Sequence, residues 1–170
     1  MKKTALIIIT IMASGSFNAQ VALGKTTLES ASSSIEFGNE NRGLVLPWAA
    51  NTAGIQNVVN GTLIFDTSDM KVKVYQNNLW KDLSVDAAGT ADTSLQDNLT
   101  DHPDAKVSIG SPSSVPGILV LEDNNKAMIL PKVASPHLNI ISPAAGMMVY
   151  DTQKKQLAVF NGTVWSFWGE

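Results

Sequence analysis

The chain has no cysteine, only two histidines, and few aromatic residues, 6% in all. Without cysteine there is neither a disulfide framework nor a thiol for a lipid anchor, so the fold has to rest on packing and strand pairing. With two histidines and no thiolate, a structural zinc site of about four ligands has little to draw on. Long apolar runs are missing as well. The apolar segment from Ala5 to Ala13 is about half of the roughly 20 residues that a membrane-spanning helix requires. An excess of basic charge is the last absence: 12 Lys and Arg face 15 Asp and Glu, and no stretch clusters the basic residues. That removes the electrostatic footprint of nucleic-acid binding.

What is present begins with "MKKTALIIITIMASGSFNAQ". Lys2 and Lys3, then an apolar core, then small and polar residues follow the order of a secretory signal. Cutting after Gly15 would place Ala13 and Gly15 in the small positions, whereas cutting after Ala19 leaves Phe17 in one of them. The boundary is set after Ala19 because repeated sequence begins at once beyond it, so 1–19 is expected to be a signal peptide and the rest to be exported. Without Lys2 and Lys3, 10 basic side chains remain against 15 acidic ones. The expected location is extracellular or at the cell surface, with no membrane span after the signal is removed. The last predicted strand lies so near the end of the sequence that export through a C-terminal sorting domain is not expected.

The remainder says one thing twice. "VALG" at 21–24 answers "VSIG" at 107–110, and "NRGLVLP" at 41–47 answers "NKAMILP" at 125–131. "GTLIFDTSDMKVKVYQNNLW" at 61–80 answers "GMMVYDTQKKQLAVFNGTVW" at 146–165. The offset runs 86, 84, 85 across these blocks, as expected when strands hold their length and loops do not. Between the copies lies a small, polar, acidic stretch that reads as a connection, with one helical turn possible in "TSLQDNLTDH". The domains expected are therefore 20–83 as a first β unit, 84–106 as a polar acidic linker, and 107–170 as a second β unit.

Within each unit the alternation of apolar and polar residues predicts strands. Each unit is expected to end in a three-stranded antiparallel meander, at about 61–66, 71–76 and 79–83, then at 146–151, 156–160 and 163–168. The fold class is all-β. Gly61, Asp66, Thr67 and Trp80 are structural repeat positions, matched by Gly146, Asp151, Thr152 and Trp165. Asp66 and Asp151 can accept from backbone N–H groups just ahead and so fix a bend. Asn161-Gly162 between two apolar runs suits a two-residue turn with positive φ at both positions, and Asn77-Asn78 is a weaker form of it. Pro47 and Pro131 should end the strands before them.

Chemistry is harder to find. His102 sits among Asp101 and Asp104 in the connection, and His137 has no acidic neighbour to orient it, so neither makes a case for acid-base work. The serines of "ASSSI" and "SPSSV" lack the strand-turn-helix setting of a nucleophile. No glycine pattern would cradle a phosphate. No catalytic, cofactor-binding or metal-binding residue is expected, and the chain is not expected to be an enzyme. Trp48, which stands where the second copy has Lys132, and Trp168 are the candidates for contact with a partner or ligand.

"AQVALGKTTLESASSSIEF", "NRGLVLP" and the later "YDT…FNGTVW" carry a resemblance. They resemble repeat blocks of secreted Bacteroidetes proteins and of phage tail-fibre-like proteins. There, a "VGIG" start, a "GLLLP" strand and a "YDT…YNGxxW" hairpin recur, often in trimeric shafts. This chain departs from the pattern at Lys25-Thr26-Thr27 and Ser111-Pro112-Ser113, and at Trp48 and Lys132, where an arginine is usual. The resemblance implies a secreted, non-catalytic structural or adhesion protein that partners itself as a homotrimer or filament. The alternative is a small glycan- or protein-binding module that uses exposed tryptophans, the partner then being a cell-surface glycan or protein.

Overall fold

The computed structural model describes residues 20–100, 102, 105–110 and 113–168; the expected signal peptide, Asp101 and Asp104 lie outside them. The described residues have regular secondary structure that is almost entirely β. They form β1 Val21–Leu23, β2 Ser33–Phe37, β3 Leu44–Val45, β4 Trp48–Ala49, β5 Leu63–Asp66, β6 Lys71–Gln76 and β7 Leu79–Asp82. The second copy gives β8 Val107–Gly110, β9 Leu119–Glu122, β10 Ala127–Met128, β11 Lys132–Val133, β12 Met147–Asp151, β13 Gln156–Phe160 and β14 Trp165–Trp168. A single helical turn, α1 Pro136–Asn139, and a 3-10 turn at Thr52–Gly54 occupy matching places in the two copies.

The repeat is reproduced in three dimensions. Each copy ends in the expected antiparallel meander, β5-β6-β7 and β12-β13-β14. In each, a short strand after the proline runs parallel to the first meander strand, β4 on β5 and β11 on β12. The strands before the prolines end short of them, β3 at Val45 and β10 at Met128, and each proline's carbonyl then accepts from the meander strand. Phe65 N–H donates to Pro47 O and Tyr150 N–H to Pro131 O, both at 2.9 Å. The opening blocks add parallel pairs, β1 with β2 and β8 with β9.

Among the described residues, two strand pairings cross between the copies. β10 of the second lies parallel on β2 of the first, and β3 of the first lies antiparallel on β12 of the second. Their apolar side chains share a core accordingly: Leu46, Phe65 and Val72 pack with Ala145, Met148 and Val159. A unit of about 60 residues buries too little surface to be comfortable alone, and here each supplies the other with what it lacks. A second cluster, Val133, Ile140, Val149 and Ala158, lies wholly within the second copy.

The connection at 84–106 divides in character. Ser84 is buried and its hydroxyl accepts from Val72 N–H at 2.9 Å, and Ala91 packs against the shared core. From Ser94 to Thr100 the chain is exposed, with Gln96 and Asp97 N–H both donating to Thr93 O in the one helical turn that the sequence suggests.

Candidate functional site

The repeated positions form two hydrogen-bonded hairpin frames. Gly61 N–H donates to Tyr75 O and Gly146 N–H to Phe160 O, both at 2.8 Å. Thr67 and Thr152 donate through their N–H groups to Ala49 O and Val133 O. Asp66 Oδ1 accepts from Ser68 N–H at 2.9 Å and from the Ser68 hydroxyl at 2.6 Å. Asp151 Oδ1 accepts from the N–H groups of Gln153, Lys154 and Ser135. Burial works against the Asp151 charge, yet the backbone donors outweigh it and hold the carboxyl below the usual aspartate value. These two carboxylates fix turns, as their place before Thr67 and Thr152 suggests.

The hairpin turns exchange roles relative to the sequence reading. Asn77 and Asn78 have φ of 52° and 61°, and Gln76 pairs with Leu79, so the two-residue turn with both positive φ lies there. Phe160 pairs with Trp165, which makes 161–164 a four-residue loop, and only Gly162 of its leading pair has positive φ. Tertiary packing is the reason. Asn161 is buried; its Oδ1 accepts from Thr163 and Val164 N–H, and its Nδ2 donates to Asp86. Gly162 is pressed against the Thr90 backbone so closely that any Cβ would collide with it.

The tryptophans separate into different settings. Trp80 and Trp165, equivalent in the repeat, each pack a ring against the neighbouring strand's aromatic, Tyr75 at 5.2 Å and Phe160 at 5.3 Å between centroids. Trp48 is half-buried against the shared core, tilted against Phe65, and its indole N–H donates to Ala145 O at 2.8 Å. Its polar edge is therefore used within the chain. Trp168 lines a shallow, largely apolar groove with Leu83, Leu130, Tyr150 and Leu157.

One contrast between the copies lies away from the tryptophans. On one face of the first meander, Ile64, Lys73 and Asp82 stand side by side across three strands. Lys73 Nζ bonds Asp69 and Asp82, and Lys71 Nζ bonds Asp82 at 2.7 Å. Burial opposes the Lys73 charge, but its hydrogen bonds to Asp69 and Asp82 outweigh that and leave it above the usual lysine value. Hydrogen bonds from Lys71 and Lys73 likewise hold Asp82 below the usual aspartate value. The same row in the second meander is Val149, Ala158 and Phe167, and Lys71 is answered by Gln156. The segment around α1 covers part of this row through Ile140 and leaves large apolar side chains outside: Leu138 is 74% and Ile141 90% exposed. The 85-residue offset carries the signal in plain sequence, since it sets Ala53 against Leu138, Gln56 against Ile141 and Asp82 against Phe167.

A second ionic cluster belongs to the opening block. Glu36 is buried and accepts from Glu29 and Ser30 N–H, the Ser33 hydroxyl and Lys25 Nζ. These donors, led by the Glu29 N–H, lower its pKa to about 2. Among the described residues no group of three or more His, Asp or Glu is placed to hold a metal ion, and no helix is long and apolar enough to cross a membrane.

No curated protein and no solved structure matches the chain. Residues 100–169 match the family model described as a phage tail like trimerisation region, a stretch that begins in the connection and runs through the second copy. In that stretch the chain is similar to a structural, tail-fibre-like segment whose kind associates in threes.

Proposed function

We propose that the chain is an exported, non-catalytic structural protein that assembles as a homotrimer and acts outside the cell by presenting its β-hairpin surfaces, in the manner of a tail-fibre segment with an adhesive role. The match of residues 100–169 to a trimerisation region carries this reading. The strands support it, since β8 and β9 form a two-stranded sheet of their own. Edges of that kind invite pairing with another chain unless they are covered. The amino-terminal run of two lysines, apolar core and small polar residues supports export. Light scattering on the chromatographed chain tests the assembly: a mass of three chains is expected, and a single-chain mass at all concentrations refutes it. The groove lined by Trp168, Leu83, Leu130, Tyr150 and Leu157 favours a second reading, a module that binds a glycan or protein there. That reading requires Trp168→Ala to abolish binding to whole cells while the chain stays folded.

A further inference from the structure

We infer that the apolar face of the second unit, centred on Leu138, Ile141 and Phe167, is the surface through which copies of this chain meet around a three-fold axis. The inference rests on the trimeric reading above and assigns its contact.

The internal repeat acts as a control on what the fold itself demands. Thr52–Gly54 and Pro136–Asn139 each make one turn in the same place, a 3-10 turn closed by the Ile55 N–H on Thr52 O and an α turn closed by the Ile140 N–H on Pro136 O. The residues that follow, Asn57 and Ser142, share a left-handed backbone, φ 53° and 51°. The chain leaves both turns in the same conformation, yet the exposed side chains differ in kind. The first copy has Ala53 and Gln56, and the second has Leu138 and Ile141, exposed to 74% and 90%. A turn at this place does not need large apolar residues, because the first copy makes one without them.

The neighbouring sheet face changes in the same direction. Lys71, Lys73 and Asp82 close that face in the first copy with ion pairs of their own. Gln156, Ala158 and Phe167 replace them in the second, where the His137 ring meets Phe167 edge-on at 5.7 Å and leaves it 38% exposed. From Val133 to Tyr150 there is no Asp, Glu, Lys or Arg, and none from Trp48 to Phe65 in the first copy, so the copies differ in charge in the sheet row, where Lys73 and Asp82 give way to Ala158 and Phe167. At a three-fold axis each side chain meets its own counterparts, so a charge near the axis is repelled by its copies while an uncharged apolar group is not. The uncharged row is compatible with a second and third copy of this chain, and its place in the stretch that matches a trimerisation region makes those copies the occupant.

Sedimentation of the full chain and of Ile141→Asp, Leu138→Asp and Gln56→Asp tests the assignment, with circular dichroism confirming the fold. Both apolar positions are so exposed that neither is needed for folding, and if one variant fails to fold the other decides. Ile141→Asp and Leu138→Asp are expected to sediment as single chains where the parent is assembled, with dissociation constants raised about 30-fold or more. Gln56→Asp should assemble as the parent does. A folded Ile141→Asp or Leu138→Asp that assembles like the parent overturns the assignment and leaves the trimer standing. A parent that is a single chain throughout overturns the trimer and the assignment with it.

Discussion

Replacing Phe65 by alanine should weaken both copies, although Phe65 belongs to the first. Its ring is fully buried, and it packs with Ala145, Met148 and Val159 of the second copy as well as with Leu46 and Val72 of its own. Gly146 lies against its Cβ, and a glycine has no side chain that could swing into the void. A Phe-to-Ala change in a core costs about 3–5 kcal/mol, the higher values belonging to sites that collapse poorly. Domains of this size are stable by about 5–15 kcal/mol, so the loss removes a large share of the whole. Urea unfolding gives the total, and amide hydrogen exchange shows where it falls. Because the core is shared, protection should drop in β12 and β13 of the second copy along with β5 and β6. Unchanged protection in β12 and β13, with the loss confined to β5–β7, would refute the idea that the copies stand or fall together.

Two further outcomes follow from buried polar groups. Asn161→Ala removes the acceptor for Thr163 and Val164 N–H and the donor to Asp86; a loss of about 2–3 kcal/mol is expected in thermal or urea unfolding, while Asn78→Ala at the exposed turn should cost less. Glu36 has a folded pKa lowered from 4.5 to about 2, so it holds its proton less tightly folded than unfolded. Its stabilising contribution is present above pH 4.5 and is lost as pH falls through about 2. Melting temperatures measured from pH 7 to pH 2 should therefore fall more steeply below pH 4.5 in the parent than in Glu36→Gln, and parallel curves would contradict this.

The local devices were the legible part of this fold. An Asp before a turn bonds the amides just after it, so Asp66 and Asp151 declare themselves in a window of a few residues, and the alternation of apolar residues marks the meander strands in the same way. Asn161-Gly162 misled because the same dipeptide also suits a tucked loop, and it was the distant Asp86 and Thr90 that decided between the two. Repetition shows which segments are alike but is silent on which copy's strand lies beside which, so β2 with β10 and β3 with β12 could not be read from it. Trp48 looked available by its type and its mismatch with Lys132, while its indole N–H is engaged by Ala145 O. The exposed face around Ile141 was hidden for the opposite reason: its signal lies in how the two copies differ and not in what they share.

The crossed pairings also order events in time. Trp48 waits for a carbonyl 97 positions further along the chain, and β2 lacks its second neighbour until β10 has been made. At ribosomal speed, about 5–20 residues per second, that interval lasts on the order of 5–20 s. Throughout it the first copy is a set of strands with one sheet edge bare and half a core. Contacts this far apart in sequence form slowly even once both partners exist. The newborn first copy can thus pair its own β4–β7 strands, but its core stays open on one side, and it closes only when its second half arrives.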